Sequence, residues 1–496
     1  MLFNSLIFIY LFLPISLFFA YIVAEKYKNF FLLVSSWIFY AWGGVSFLIV
    51  LVLSIMINYL TGLAINRSRD ERQRRFRFVI GICLNLSLLF VFKYTNFLFE
   101  NLNLFNAIFG WKPIIVKTIF LPLGISFFTF KAISYLISIK RREQPVQENF
   151  TELALYLSIF PELIAGPIDR YNDLAGQIHR RIFSIDQFAS GVRRFAMGLF
   201  KKVIISSPLA MVADHAFDGW LFQLSTPMAW LGLFCFTLHI YYDFSGYTDM
   251  AIGIGRMFGF SFTENFNFPY VSKSVREFWK RWHISLSTLL RDYLFLPIAY
   301  ATSRKLKKES YWRIRVDHLI YIYATLITFL LCGFWHGAAW NFIIWGLMHG
   351  IFLSLERTRL GKWIDHRSKV FRHVYFFVFI LFSWVIFRTS TIQDAFNYIE
   401  VLAGNSKAHT DWYQLLEYWN IKLIGTFILA LAGTTRIFEY IYNWIQDGIK
   451  YRVRLIRYIC LYSIHFGALL FILVTLALST LYLISGTSDA FIYFRF

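Results

Sequence analysis

The chain of 496 residues is 58% hydrophobic and 21% aromatic, and only 16% of its residues are charged. Soluble globular domains are less apolar and carry more charge, so this composition excludes an ordinary soluble enzyme and points to a protein solvated by lipid. Lys and Arg number 49 against 29 Asp and Glu, a net charge of +20; the basic residues sit in short clusters between apolar runs, which argues for loops flanking membrane segments and against nucleic-acid binding.

Apolar runs recur around residues 2–23, 30–65, 78–99, 114–139, 151–166, 193–213, 228–258, 317–333, 337–355, 370–388, 421–435 and 461–485. The pattern predicts an all-α polytopic membrane protein with about eleven or twelve membrane segments, some incomplete, since a full crossing takes roughly 20 helical residues. The first run has no basic residue before it and no small-residue cleavage site, so it reads as a retained helix. The second is too long for one span and is interrupted at Trp42-Gly43-Gly44, as in a helical hairpin. The run at 151–166 is short and broken by Pro161 and Gly166-Pro167, as expected of a segment that re-enters instead of crossing. Asn66 to Arg77 holds Arg67, Arg69, Arg72, Arg74, Arg75 and Arg77 against Asp70 and Glu71. It is expected in the cytoplasm together with Arg304–Arg315 and Lys450–Arg457, whereas Asn405–Trp419, with little basic character, is expected outside. Neither an internal repeat nor a second soluble domain is visible, so residues 1–496 read as one integral membrane domain. Cys83, Cys235, Cys332 and Cys460 lie in or beside apolar runs, without disulfide or metal-ligand spacing.

Three stretches carry polar residues where a plain span would not, and ionisable groups at membrane depth call for a structural or chemical reason. In Tyr241-Tyr242-Asp243-Phe244-Ser245-Gly246-Tyr247-Thr248-Asp249, two carboxylates and several hydroxyls interrupt the run 228–258. A polar cavity lining and a buried network fixing a broken helix are both compatible with it. From Ser274 to Tyr293, a Ser-x-x-Glu capping box precedes Val275, Phe278, Trp279, Trp282, Leu286, Leu289, Leu290 and Tyr293 at helical spacing. Lys273, Arg276, Lys280 and Arg281 lie off that stripe, so the segment reads as an amphipathic helix in the cytoplasmic interface, with His283 at the polar–apolar boundary. It serves either as an anchor with an incidental histidine or as a basic rim for an anionic donor. In Cys332-Gly333-Phe334-Trp335-His336-Gly337-Ala338-Ala339-Trp340-Asn341, Gly333 and Gly337 permit tight helix approach. His336 there is a titratable group suited to base chemistry near neutrality, or a satisfied core histidine. No P-loop, dinucleotide fingerprint, zinc spacing or Gly-x-Ser-x-Gly elbow occurs, so neither a metal nor a bound cofactor is expected.

Taken together, these stretches resemble the membrane-bound O-acyltransferase family, in the branch containing the alginate O-acetylation membrane component. The resemblance rests on Phe127–Tyr135, Phe160–Ile168, Tyr242–Tyr247 with Asp249, Glu264–Asn267, and Phe278–Ser287 with Arg291-Asp292-Tyr293. Gly333–Ala338 and the terminal Phe491–Phe496 complete it. It covers most of the chain from about residue 120 onward and is carried by the order and number of matches. It implies a ring of helices around a central tunnel, with 1–120 as peripheral N-terminal helices, 121–355 as the catalytic core and 356–496 as C-terminal helices. The principal catalytic histidine then falls on His336 and the second on His283, near the cytoplasmic mouth.

The expected reaction moves an acetyl group from a cytoplasmic thioester, acetyl-CoA, to a hydroxyl acceptor across a bacterial cytoplasmic membrane. Its purpose would be O-acetylation of an extracytoplasmic polysaccharide such as alginate or peptidoglycan. Lys273, Arg276, Lys280 and Arg281 would receive the donor, and Tyr242, Ser245 or Asn341, near Asp243, could stabilise an oxyanion. The resemblance also implies a secreted esterase-like partner that relays the acetyl group, and a related branch that transfers D-alanine. A transporter with mid-membrane polar residues is the alternative of a different class, and a purely structural export subunit is a third.

Overall fold

A computed structural model describes residues 1–219, 224–306, 308–311, 314–406, 412–450 and 454–486; the terminal Phe491–Phe496 stretch lies outside them. The chain is helical almost throughout, and the only strands among the described residues are Ser310–Tyr311 and Ile314–Arg315, paired antiparallel. Among the described residues, six helices are long and apolar enough to cross a membrane: Val45–Asn66, Glu71–Lys93, Ile185–Asp218, Val316–His336, Lys369–Arg388 and Tyr458–Ile484. Ile421–Gly433 and Ile437–Ile449, bent by 69°, make a seventh if taken as one span. The protein is therefore an all-α, multi-pass membrane protein. Several apolar runs fold into shorter helices, including Phe8–Ile22 and Trp340–Leu355. The run at 151–166 gives only Phe150–Ser158 and a turn at Phe160–Leu163.

One compact unit comprises residues 1–195 and 247–263. The run 30–65 forms the expected hairpin, Glu25–Ala41 and Val45–Asn66, turning at Gly44 with φ of +148°. Val45–Asn66 packs on Glu71–Lys93 through Asn58 and Asn85, whose buried side-chain amides exchange two hydrogen bonds of 2.9 Å. Reciprocal amide bonds of this kind hold helices together where hydrocarbon supplies no hydrophobic drive. Two arginines near the start of Glu71–Lys93 donate to helix-end carbonyls, Arg74 to Ile139 at 2.6 Å and Arg77 to Ala64 at 2.5 Å. Lys131 and Glu162, both fully buried, pair at 2.5 Å, with the ammonium 4.7 Å from the Tyr156 ring. Asp249 accepts from Arg194 at 2.7 Å.

The other unit comprises residues 196–246 and 264–496. The helix Thr226–Met257 runs unbroken through the polar stretch, so the polar residues do not break it. Its glycines serve close packing in place of bending: a Cβ on Gly246 would stand 2.8 Å from the Gly198 carbonyl oxygen. Asp243 is ion-paired with Lys202, and Ser206 lies 2.8 Å from His239 Nδ1. These pairs join the Thr226–Met257 helix to the Phe200–Ser206 segment. Arg388 joins the end of Lys369–Arg388 to Asp214 at 2.7 Å and Asp218 at 2.6 Å.

Candidate functional site

His336 is the last residue of Val316–His336, since Gly337 turns extended at φ −158°, ψ +152°. The chain re-enters a helix at Trp340–Leu355, and the two helices pack at glycine. A Cβ on Gly333 would lie 2.2 Å from the Phe342 carbonyl oxygen, and one on Gly346 would lie 2.2 Å from that of Phe329. This contact brings Trp345 to the His336 ring, edge-on with centroids 4.9 Å apart. Phe387 at 5.4 Å and Trp335 at 4.8 Å close the rest of the cage. His336 is only 7% exposed, so its imidazole sits among aromatic faces and edges with little access to water.

The expected single amphipathic helix over 274–293 is not formed. Val275–Phe278 ends after one turn, and Ile284–Leu290 starts afresh behind His283, whose φ of +44° and ψ of +56° are left-handed. The Ser274 hydroxyl does accept from Glu277 N–H at 3.0 Å, as the capping box predicts. The break follows from a long-range bond: Asn265 O accepts the Ile284 N–H at 3.0 Å, which no continuous helix could allow. The apolar stripe is buried within this unit, with Phe278, Trp282 and Leu286 at 3% exposure or less, so the segment is a core element and does not lie free in the interface. Its basic residues are partly matched by acids. Arg281 bonds Glu277 at 2.9 Å and Arg276 lies 3.9 Å from Asp365. Arg276 and Lys280 are exposed, whereas Lys273 and Arg281 are half-buried.

His283 is fully buried, edge-on to Phe244 at 4.7 Å and 6.4 Å from Trp335. Trp335 thus contacts both histidine rings. Burial drives the His283 pKa down to about 3, which keeps the ring neutral.

A third histidine joins the cluster. His349 lies one turn beyond Trp345, with ring centroids 4.7 Å apart, and its Nδ1 accepts the Trp279 indole N–H at 3.1 Å. An indole N–H can only donate. The neutral His349 ring therefore carries its own hydrogen on Nε2, which has no hydrogen-bond partner among the described residues. The i, i+4 spacing of Trp345 and His349 was the available signal, but the bond to Trp279 is set by tertiary packing.

Two expected oxyanion donors are otherwise engaged. The Tyr242 hydroxyl donates to Ala430 O at 2.6 Å, and the Asn341 amide donates to Thr389 O at 2.7 Å and Ile386 O at 3.4 Å. Both reach backbone carbonyls near the ends of helices, Ile421–Gly433 and Lys369–Arg388. Ser245 is buried on the Thr226–Met257 helix, two residues after Asp243. A cavity of about 400 Å³ is lined almost wholly by apolar groups, among them Phe234, Leu238, Phe377 and Leu431, with Tyr270 and His373 at its wall. Neither His336 nor His283 lines it.

A helical membrane protein whose buried histidines meet on one indole is the kind of scaffold that carries group transfer at membrane depth. The family model of the membrane-bound O-acyltransferases matches residues 80–393. The chain belongs to that family, and it is an O-acyltransferase. It is 42% identical over 396 residues to the probable alginate O-acetylase of Azotobacter vinelandii, covering 80% of this chain and 76% of that one. It is 35% identical over 441 residues to the peptidoglycan O-acetyltransferase of Helicobacter pylori, covering 82% and 80%. Similarity to the teichoic acid D-alanyltransferase of Bacillus subtilis is lower, 28% over 284 residues, covering 53% of this chain and 68% of that one.

Proposed function

We propose that the protein passes an acetyl group from acetyl-CoA, supplied from the cytoplasm, to a hydroxyl acceptor for O-acetylation of an extracytoplasmic polysaccharide. Alginate and peptidoglycan are the candidate polymers, because acetylases named for them are the relatives matched at 42% and 35% identity. The D-alanyl transferase is matched over a shorter stretch at lower identity, so acetyl is the favoured acyl group. The protein would sit in a bacterial cytoplasmic membrane and hand its acetyl group to a secreted esterase-like partner.

The carrying observation is that the buried His336 and His283 both contact the Trp335 ring. In the proposed step the acceptor oxygen attacks the thioester carbonyl carbon. A ring nitrogen of His336 takes the hydroxyl proton, the new C–O bond forms and the C–S bond breaks. The proton then passes to the departing thiolate, giving free CoA thiol. General-base catalysis of this type contributes about 10²–10⁴ in rate. The exclusion of water by Trp335, Trp345 and Phe387 strengthens each polar contact in the step. Arg276, on the short helix, and Lys280, in the turn that follows it, are exposed and suit the phosphates of the donor.

The test is transfer of radiolabelled acetyl from acetyl-CoA to a soluble hydroxyl acceptor by purified protein in nanodiscs. His336→Ala is expected to keep the elution profile and melting temperature within a few degrees and to lower turnover by about 10²-fold or more. Wild-type turnover in that variant removes His336 from the chemistry, and solute flux without transfer replaces the enzyme with a transporter.

A further inference from the structure

The environment of His283 specifies more than its burial. Asn265 and His283 are both fully buried. The side-chain oxygen of Asn265 lies 3.1 Å from the Ser285 backbone nitrogen, 2.9 Å from Ser285 Oγ and 3.1 Å from His283 Nδ1. A backbone N–H can only donate, so the atom it reaches is an acceptor, and the orientation of the amide follows without reference to the histidine. Facing an acceptor oxygen, Nδ1 must carry the ring hydrogen, because two lone pairs would repel. A neutral imidazole has one N–H, so Nε2 is bare. His283 Nε2 has no hydrogen-bond partner among the described residues, and neither has the Asn265 amide nitrogen. A buried acceptor left open in a packed core calls for an explanation such as a reactant that fills it. The backbone supports the same arrangement: Asn265 O accepts the Ile284 N–H, holding His283 in its left-handed conformation.

We infer that Asn265 is a positioning residue that locks His283 in the Nδ1–H tautomer, leaving Nε2 as an acceptor for the O–H or S–H hydrogen of a reacting group. The inference deepens the proposed acetyl transfer and rests on it for the role of His283, although the tautomer itself is independent of that reading. It has a definite chemical consequence. A bare Nε2 accepts a hydrogen bond from the thiol of the departing CoA or from a second hydroxyl of a polyol acceptor, the attacking hydroxyl's proton going to His336, and it cannot donate to a carbonyl oxyanion. His349, with its Nδ1 occupied by Trp279, is held in the opposite tautomer.

The test uses full-length protein labelled with ¹³C,¹⁵N-histidine in nanodiscs, with His283→Gln to assign the His283 signals by difference. The ring carbon and nitrogen shifts at neutral pH are expected to report a protonated Nδ1 and a bare Nε2. Asn265→Asp keeps every hydrogen bond made to the side-chain oxygen and is expected to retain both the tautomer and most of the activity. Asn265→Leu removes the acceptor. It is expected to convert His283 wholly or partly to Nε2–H and to lower kcat by about tenfold or more, with the KM for acetyl-CoA little changed. A protonated Nε2 in the wild type overturns the inference, and so does an unchanged tautomer in Asn265→Leu. Should that variant not fold, the wild-type and Asn265→Asp spectra still decide. Full acetyl transfer by His283→Gln removes His283 from the reaction while leaving the tautomer assignment standing, and absence of transfer by the wild type removes the proposed function itself.

Discussion

At the scale of single residues, two of the buried histidines are distinguished by one hydrogen bond each. Trp279 donates to His349 Nδ1 at 3.1 Å, inside a cluster where Trp345 and Phe379 stand edge-on or tilted to the same ring. Trp279→Phe keeps an aromatic ring but strips the donor, leaving a buried acceptor unsatisfied at about 1–3 kcal/mol. A lower melting temperature in detergent is expected. In a cycle with His349→Leu, the two losses should be less than additive, because the second substitution removes the orphaned nitrogen. Additivity within about 0.5 kcal/mol would mean that the bond contributes nothing. Glu277 responds to pH in a predictable direction. Burial pushes its carboxyl up, but the Lys273 N–H and the Arg281 guanidinium outweigh this and hold its pKa below the usual value. Its contribution to stability is therefore present above the ordinary carboxylate range and is lost as pH falls through the depressed value. Glu277→Gln should accordingly flatten the acid side of a stability–pH curve, and an unchanged curve would rule that contribution out.

At the scale of elements, the cage around His336 depends on two helices whose backbones touch. The added Cβ of an alanine at Gly346 would meet the Phe329 carbonyl oxygen at 2.2 Å and Gly333 Cα at 2.9 Å, and backbone cannot swing aside as a side chain can. Gly346→Ala is expected to force Val316–His336 and Trp340–Leu355 apart, loosen the 4.9 Å contact of His336 with Trp345, and reduce both folded yield and turnover. Gly467→Ala, on the Arg454–Ile484 helix with nothing within 4 Å, is the matched control and should behave as wild type. Equal behaviour of the two variants would show that the glycine contact does not shape the site. A capping box and an apolar stripe, both legible in the sequence, predicted one helix over 274–293. The left-handed break at His283 was not legible, because it is held by Asn265, 18 residues earlier in the chain.

At the scale of the whole molecule, an asymmetric reaction needs a donor side and an acceptor side. In the proposed scheme the six arginines between Asn66 and Arg77 lie on the cytoplasmic side, as the positive-inside rule expects, and Arg74 and Arg77 also cap helix ends. In the proposed scheme the exposed Arg276 and Lys280 attract the phosphates of acetyl-CoA. Replacing both by alanine should raise the KM for acetyl-CoA several-fold at low salt with kcat nearly unchanged, and the difference should shrink as salt screens the field. A drop in kcat at constant KM would place these residues elsewhere in the cycle. In sealed vesicles of known orientation, acetyl-CoA is expected to be consumed only when supplied on the Asn66–Arg77 side.

The membrane class, the hairpin at Trp42–Gly44 and the candidacy of His336 were all readable from local pattern. Apolar run length, glycine placement and residue type act over a few neighbours, and those neighbours are adjacent in the sequence. What the pattern could not supply was partnership: Asp243 with Lys202, 41 residues away, Trp279 with His349, 70 away, and Arg388 with Asp214, 174 away. A buried polar group at membrane depth must find a complement somewhere. Periodicity shows that such a group is buried, and only the packed chain shows which atom answers it.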